Sequence, residues 1–390
     1  RGLGDVYKRQ GYMIEELRKK IDELDDKIAE LYLERQRTVR EIGEEKARTH
    51  AAVLDPAREK KIIARVTKQA DDEQKIYLKR VFETILETSR AYQRRLVAPV
   101  TPLSDNLRRV LMEGKKYFPV SITVACQGVE GSYSSIAADK LFEIADITFF
   151  RNFEGVFQAV EKGLCDYGVL PIENSAVGSV NAVYDLMKKH RFYIVRSIKL
   201  KVCHHLLAKK GVALSDIKEV YSHEQAIGQC SAYLQKLPSS VKITACPNTA
   251  VAAETVANSD RNDVACISSR NCAELYGLGI LESNIQDNDS NYTRFICISK
   301  TLEVFAPANR ISIMMTLPHE SGSLNRVLNK FSTLGLNLTK LESRPLPGTD
   351  FEFMFYFDFE GQIENSDTLS LIAELDQGTE QFTFLGSYYE

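Results

Sequence analysis

The chain has 390 residues, too long for one ordinary domain, so two to four are expected. It is 44% hydrophobic and 26% charged, as in a soluble globular protein. Its 50 basic and 53 acidic residues give a net charge of −3, with no basic excess to favour nucleic acid and no acidic tail.

No stretch is long and apolar enough to span a membrane, and the opening "RGLGDVYKRQGY" lacks the apolar core of a secretory signal. Residues 1–12, ahead of Met13, read as an extraneous or disordered leader. The eight cysteines are scattered with no Cys-x-x-Cys pair. Cys126, Cys165, Cys203, Cys266 and Cys297 lie mostly in apolar runs and read as reduced core thiols of a cytoplasmic protein.

Residues 13–97 carry no clear strand signal. Ile14, Leu17, Ile21, Leu24, Ile28 and Leu31 recur at spacings of three and four, a helical seam that predicts one helix to about Lys46. A helix this long implies a partner chain or a bundle. "LDPAREK" restarts a helix with Asp55 as N-cap and Pro56 at the first position, and a third helix is predicted over roughly 72–96.

Within the seam, Ile14, Ile21, Ile28 and Ile42 follow a seven-residue repeat whose missing member is Arg35. A guanidinium there is costly unless an anion meets it. It either specifies register, pairs with a neighbouring Glu, or binds an anionic ligand. Lys46 lies on nearly the same face, about 16 Å along the axis, so two cations can close on one small dianion. Arg18 is about 25 Å from Arg35 and about a quarter turn round, so it can join that ligand only from a second subunit. Asp55 with Glu59, and Ser89 with Gln93, are i, i+4 neighbours, and Arg58 adds a cation.

Residues 98–120, with Pro99, Pro102 and Pro119, read as a linker with one short helix. From 121 to 300 β-rich runs alternate with helical stretches, which predicts α/β architecture. "SITVACQGVEGSYSS" reads as strand, glycine-bearing turn, helix; it is an anion-binding turn or a plain structural one, and no P-loop. "DYGVLPIENSAVGSV" brings Glu173, Asn174 and Ser175 to a strand end, and "VYSHEQAIGQC" does the same for Ser222, His223 and Gln229. "NYTRF" places Thr293 and Arg294 where a polar loop enters a buried strand. "CHHLLA" suggests metal, but adjacent histidines on a strand point to opposite faces, so no metal is expected.

Residues 301–390 hold a smaller unit whose order from Arg310 is βαββαβ, the ferredoxin-like order. In "FEFMFYFDFE", Phe351, Phe353, Phe355, Phe357 and Phe359 alternate with polar or mixed partners, which predicts a half-buried strand.

These residues carry three resemblances. Residues 14–96 resemble the all-helical chorismate mutase domain, an intertwined dimer. That resemblance implies a site of Arg18 from the partner, Arg35, Lys46, Asp55, Arg58, Glu59, Ser89 and Gln93, with Lys46 and Gln93 on the ether oxygen of chorismate. Residues 121–300 resemble prephenate dehydratase, a two-lobed α/β domain built like periplasmic binding proteins. The resemblance implies that Thr293 meets the leaving oxygen of prephenate, that Glu173, Asn174, Ser175, Ser222 and Gln229 line the cleft, and that Arg294 binds a substrate carboxylate or is structural. His204 also matches a family histidine, while Val129 stands where the family's loop has Pro.

The last unit resembles an ACT domain. That implies allosteric phenylalanine at Gly322, Ser323 and Leu324 with Glu342, Ser343, Arg344 and Pro345; Asn325 departs from the family's Gly-Ala-Leu-Val. Together the resemblances imply a bifunctional, feedback-inhibited enzyme without a cofactor, a homodimer or higher homo-oligomer binding neither nucleic acid nor membrane. Two other readings stay open: a non-catalytic sensor, and a dehydratase whose helical region only dimerises.

Overall fold

The computed structural model describes residues 3–49, 51, 53–97, 100–114, 117–346, 348 and 352–390, with the side chains of residues 3–12 and 95 outside the description. Pro99 and Phe351, named above, fall outside it. The chain forms two compact units, Arg1–Ser104 with Gly322–Leu336 and Ser366–Gln377, and Asp105–Ser321 with Asn337–Asn365 and Gly378–Glu390.

The periodic N-terminal sequence is helical, as α1 (Leu3–Thr49), α2 (Pro56–Thr67) and α3 (Lys75–Leu96). Helix α1 starts at Leu3, so residues 3–12, read from the sequence as a leader, continue its backbone. Asp55 caps α2 by accepting from the Arg58 amide, and Pro56 opens the helix where its missing N–H costs nothing. The second half of α1 lies on α3: Val39 is buried, and a Cβ on Gly43 would stand 2.9 Å from Leu96 Cδ1. The first half differs. Ile14, Leu17, Ile21, Leu24, Ile28 and Leu31 are 49% to 65% exposed, an apolar stripe that finds no cover among the described residues.

After α4 (Pro102–Glu113) the chain builds β1 (Ser121–Gln127), α5 (Tyr133–Leu141), β2 (Ile144–Phe150), α6 (Phe153–Glu161), β3 (Tyr167–Asn174), β4 (Gly178–Ser179), α7 (Asn181–Met187) and β5 (Tyr193–Lys201). It then leaves for a second sheet made of β6 (His205–Ala208), β7 (Glu219–Ser222), α8 (Glu224–Gln229), α9 (Ser231–Leu234), β8 (Lys242–Ala245), α10 (Thr249–Asn258), β9 (Val264–Ser268), α11 (Arg270–Leu275) and β10 (Gly279–Glu282). It returns with β11 (Tyr292–Ser299), which inserts antiparallel between β3 and β5.

The first sheet runs β2-β1-β3-β11-β5 with β4 on β3, and the second runs β10-β6-β9-β7-β8. Two crossings join the lobes, pinned by Val202 N–H to Asn291 O (2.8 Å) and Ile285 N–H to His204 O (2.9 Å). Both faces of β3 and β11 are covered: Leu170, Ile296 and Ile298 belong to one core, Val169, Phe295 and Cys297 to another. That is why these strands read as unbroken apolar runs. The buried thiols Cys126, Cys266 and Cys297 have pKa values pushed up by burial.

The C-terminal strands β12 (Arg310–Thr316), β13 (Leu338–Pro345), β14 (Phe353–Glu360) and β15 (Phe382–Tyr388), with α12 (Ser323–Thr333) and α13 (Ser366–Gly378), keep the predicted βαββαβ order. They form an antiparallel sheet, β13-β14-β12-β15. The expectation of a half-buried β14 needs correction. Met354 and Tyr356 join the core of Leu170 and Ile296, while Phe357 and Phe359 are fully buried, so both faces are largely covered. No helix among the described residues is long and apolar enough to cross a membrane.

Strand β15 lies against β5 at Gly386, where an added Cβ would stand 2.1 Å from the Ile194 carbonyl oxygen. Gly386→Ala is therefore expected to cost about 2 kcal/mol, a fall of roughly 4–8 °C in Tm by thermal melt. An unchanged Tm would mean the strands are not this close.

Candidate active sites

In the first unit, α1 and α3 bring Arg35 and Ser89 together, while Lys46 and Glu59 meet other partners. Arg35 Nη1 donates to Ser89 Oγ, and burial lowers the Arg35 pKa. Lys46 Nζ donates to Val53 O at 2.7 Å, across the turn that leads to Asp55. Glu59 pairs with Arg90, which also pairs with Glu87. Gln93 is buried, and its Oε1 has no hydrogen-bond partner. Arg18 lies on the exposed half of α1, away from this group. The sequence reading missed Arg90; its signal was a basic residue beside Ser89 on a helix already carrying Gln93.

The second unit holds a cleft of about 480 Å³ between its two lobes. Asn174, Gln229 and Thr293 line it, with His204, His223, Ser132, Ser134, Asn248 and Thr249. Strand alternation explains the geometry. Thr293 pairs with Asn174 across β11 and β3, and both side chains enter the cleft. Asn174 Nδ2 donates to Thr293 Oγ1 (2.9 Å) and to Asn291 Oδ1 (2.8 Å). Asn291 Nδ2 donates across the lobes to Gln229 Oε1 (3.1 Å), which lies 2.8 Å from His204 Nε2. The Asn174 oxygen accepts from the amides of Ala176 and Val177, which fixes its orientation.

Thr293 therefore receives a hydrogen bond and keeps its own proton for a ligand. Asn291, 1% exposed, was quoted in the sequence motif without a role, yet it is the joint of this chain. Its signal was position: two residues before Thr293, it shares the strand face of Thr293.

No Asp, Glu, Lys or Arg lines this cleft among the described residues. The N-termini of α5, capped by Ser132, and α10, capped by Asn248, open onto it instead. Backbone N–H groups, hydroxyls and amides suit an anionic ligand there. Val129, at the departure from the family's loop, lies between Gly128 (φ 109°) and Gly131 (φ 83°) and packs against the second lobe's core.

Four residues expected in the cleft are elsewhere. Glu173 and Arg294 form the next cross-strand pair and so point to the opposite face. Glu173 pairs with Lys340 at 2.8 Å. Arg294 is buried, paired with Asp358 (2.6 Å) and Glu390 (2.5 Å), and donates to Tyr388 OH (2.8 Å). Burial alone would lower its pKa; Tyr388, Asp358 and Glu390 outweigh that and raise it. Arg294 is thus the structural alternative, and no substrate carboxylate reaches it. Ser222 is fully buried, with its hydroxyl donating to Ile267 O (2.9 Å) between neighbouring strands. Ser175 holds the incoming loop, donating to Ser290 O and accepting from Tyr292 N–H, both at 2.9 Å.

Of the residues expected to hold phenylalanine, Gly322, Ser323 and Leu324 start α12 in the first unit; Gly322 takes φ 83°. Glu342, Ser343, Arg344 and Pro345 lie on β13 in the second. Glu342 accepts from Ser179 Oγ (2.8 Å), and Arg344 pairs with Asp185 (3.0 Å). Asn325, the departure in the loop, has its amide oxygen towards Arg80 of α3, at 3.2 and 3.1 Å from the two terminal nitrogens. A polar residue here answers that guanidinium.

His204, just before β6, lies against Gln229, while His205, the first residue of β6, accepts through Nδ1 from Asn284 N–H (3.2 Å). Burial lowers the pKa of His204, with Gln229 opposing, so the ring is neutral and donates through Nε2. An unfolded histidine titrates near 6.5. The folded value is lower, so the unfolded chain takes up the proton first. Stability present above about pH 6.5 is then lost as pH falls below it. His204→Gln is expected to lose less Tm than the parent between pH 7.5 and 5.5; equal losses would contradict this.

The comparisons agree with the geometry. The family model described as chorismate mutase type II matches residues 17–94, and that described as prephenate dehydratase matches 124–303. The bifunctional chorismate mutase/prephenate dehydratase of Escherichia coli (strain K12) is 33% identical over 381 residues, covering 95% of each chain. The Arabidopsis thaliana arogenate dehydratase/prephenate dehydratase 6, chloroplastic, is 38% identical over 74% of this chain and 73% of its own.

Among solved structures, a prephenate dehydratase in complex with L-Phe from Arthrobacter aurescens has TM-score 0.63 at 28% identity, covering 69% of this chain and 90% of its own. A protein described as a quorum-quenching acylase has TM-score 0.62 at 30% identity, covering 68% and 97%. The second shows that the shared scaffold alone does not fix an activity. With both family models and a relative matched over 95% of each chain, the chain belongs to the bifunctional chorismate mutase/prephenate dehydratase family.

Proposed function

We propose that the protein rearranges chorismate to prephenate in its helical unit and converts prephenate to phenylpyruvate in its α/β cleft. The hydrogen-bond chain Thr293–Asn174–Asn291–Gln229–His204 carries the second assignment.

The first reaction is unimolecular and needs no nucleophile. It needs a compact substrate conformer and support for the ether oxygen as its bond breaks. Arg35, Arg58 and Arg18 of a second copy hold the carboxylates. Lys46 and Gln93 serve the ether oxygen; Asp55 and Glu59 serve the ring hydroxyl. The exposed stripe of α1 supports an intertwined homodimer, which covers it and brings in Arg18.

In the second reaction the ring's carboxylate C–C bond breaks and its electron pair enters the ring as the C–O bond opposite breaks. Carbon dioxide leaves, and the oxygen leaves as water once it has a proton. The Thr293 hydroxyl, polarised by Asn174, donates to that oxygen. Gln229, its oxygen held by Asn291 and His204, offers its amide N–H groups to the substrate. Helix N-termini meet the carboxylates. The amino-acid counterpart, arogenate, would bring an ammonium into a cleft with no carboxylate among its described lining residues, which favours prephenate. The βαββαβ segment is an ACT-type sensor for phenylalanine, and the protein works in the cytoplasm without cofactor or metal.

Following chorismate loss and phenylpyruvate formation tests both assignments. Arg35→Ala is expected to abolish use of chorismate and spare prephenate. Thr293→Val, which keeps shape and removes the hydroxyl, should lower dehydratase kcat by about 10²–10³ and spare the mutase. Added phenylalanine should slow dehydration. Parent protein that makes no phenylpyruvate from prephenate sinks the central claim.

A further inference from the structure

We propose that Glu173 and Arg294 are positioning residues of the dehydratase, through which the C-terminal four-stranded sheet sets the geometry of Asn174 and Thr293. The proposal rests on the dehydratase reading above and assigns a task to residues that never reach the cleft.

The argument starts from register. Thr293↔Asn174 and Arg294↔Glu173 are consecutive pairs of one ladder, so the catalytic pair and the charged pair occupy opposite faces one peptide apart. Each strand of the C-terminal sheet contributes a group to the charged face. From β13, Lys340 Nζ donates to Glu173 Oε1 and to Ser179 Oγ, both at 2.8 Å. From β14, Asp358 takes Arg294 at 2.6 Å. From β12, Ser312 Oγ donates to the other Asp358 oxygen at 2.6 Å. From β15, the Tyr388 hydroxyl accepts from Arg294 and meets Ser312 Oγ at 2.7 Å.

A misplacement of about 1 Å in a catalytic group can cost about a hundredfold in rate, so a clamp one residue away has leverage on chemistry without touching substrate. Lys340 is also two residues from Glu342 on β13, and Ser179 bonds to both. A ligand that competes for Glu342 or Arg344 acts on the same clamp.

The test uses the full chain with Lys340→Met, Lys340→Arg and Asp358→Asn. Dehydratase kcat and KM, mutase rate and Tm are measured on each. The expected result is a kcat lower by about tenfold or more in Lys340→Met and Asp358→Asn, KM within about twofold, an unchanged mutase rate, and recovery of most of kcat in Lys340→Arg. Unchanged kcat in Lys340→Met whatever its Tm, a rise in KM alone, or parallel loss of both activities overturns the proposal. If Asp358→Asn does not fold, the Lys340 pair at the sheet's edge decides alone. Inactive parent protein refutes the dehydratase reading instead; active parent with unaffected variants refutes this linkage.

Discussion

When β11 comes back from the second lobe and slides between β3 and β5, one register choice fixes the chemistry of the α/β unit. Thr293 falls opposite Asn174, and a slip of one residue would send Arg294 into the cleft and Thr293 into the core. That slip is opposed from behind. Arg294 needs Asp358, Glu390 and Tyr388 to remain charged in a buried place. Breaking such a pair on one side typically costs about 3–5 kcal/mol. The ionic cluster is thus better understood as a device for register than as a gain in stability.

The helical unit obeys a different constraint. The site proposed for it draws on long cations and amides of three helices, and among the described residues nothing covers the seam of α1 along its first half. A rearrangement that needs only conformational restriction and charge support can be served by groups that grip from outside, including one lent by another chain. For the elimination we propose a donor at one oxygen, and the residue proposed, Thr293, lies at a strand end, where backbone geometry is stiff.

Much of this was readable from residues alone. Helical periodicity, the Asp55–Pro56 start and the βαββαβ order are local signals and survive into the structure. Arg35 stood out because it interrupts an apolar repeat. Legibility failed where side-chain direction mattered. "IEN" and "TRF" each put one residue in the cleft and its neighbour behind the sheet, and only the β3–β11 pairing, between segments over a hundred residues apart, says which is which. Ser222 looked accessible at a strand end because the sequence does not announce that Ile267 runs alongside it. Asn291 was overlooked because its importance is relational: it matters through Asn174 and Gln229, which belong to different lobes. Burial of β14 on both faces needed knowledge of what covers Met354 and Tyr356.

The absence of Asp, Glu, Lys and Arg among the described residues lining the cleft has a consequence for how one polypeptide handles similar dianions twice. Guanidinium and ammonium groups near a surface attract mobile counter-ions, and their grip weakens as the Debye length contracts to about 8 Å at physiological ionic strength and less beyond it. Peptide N–H groups, hydroxyls and carboxamides present no formal charge for those ions to neutralise. For the two sites proposed, ionic strength is therefore expected to loosen substrate capture by the helices before capture by the cleft.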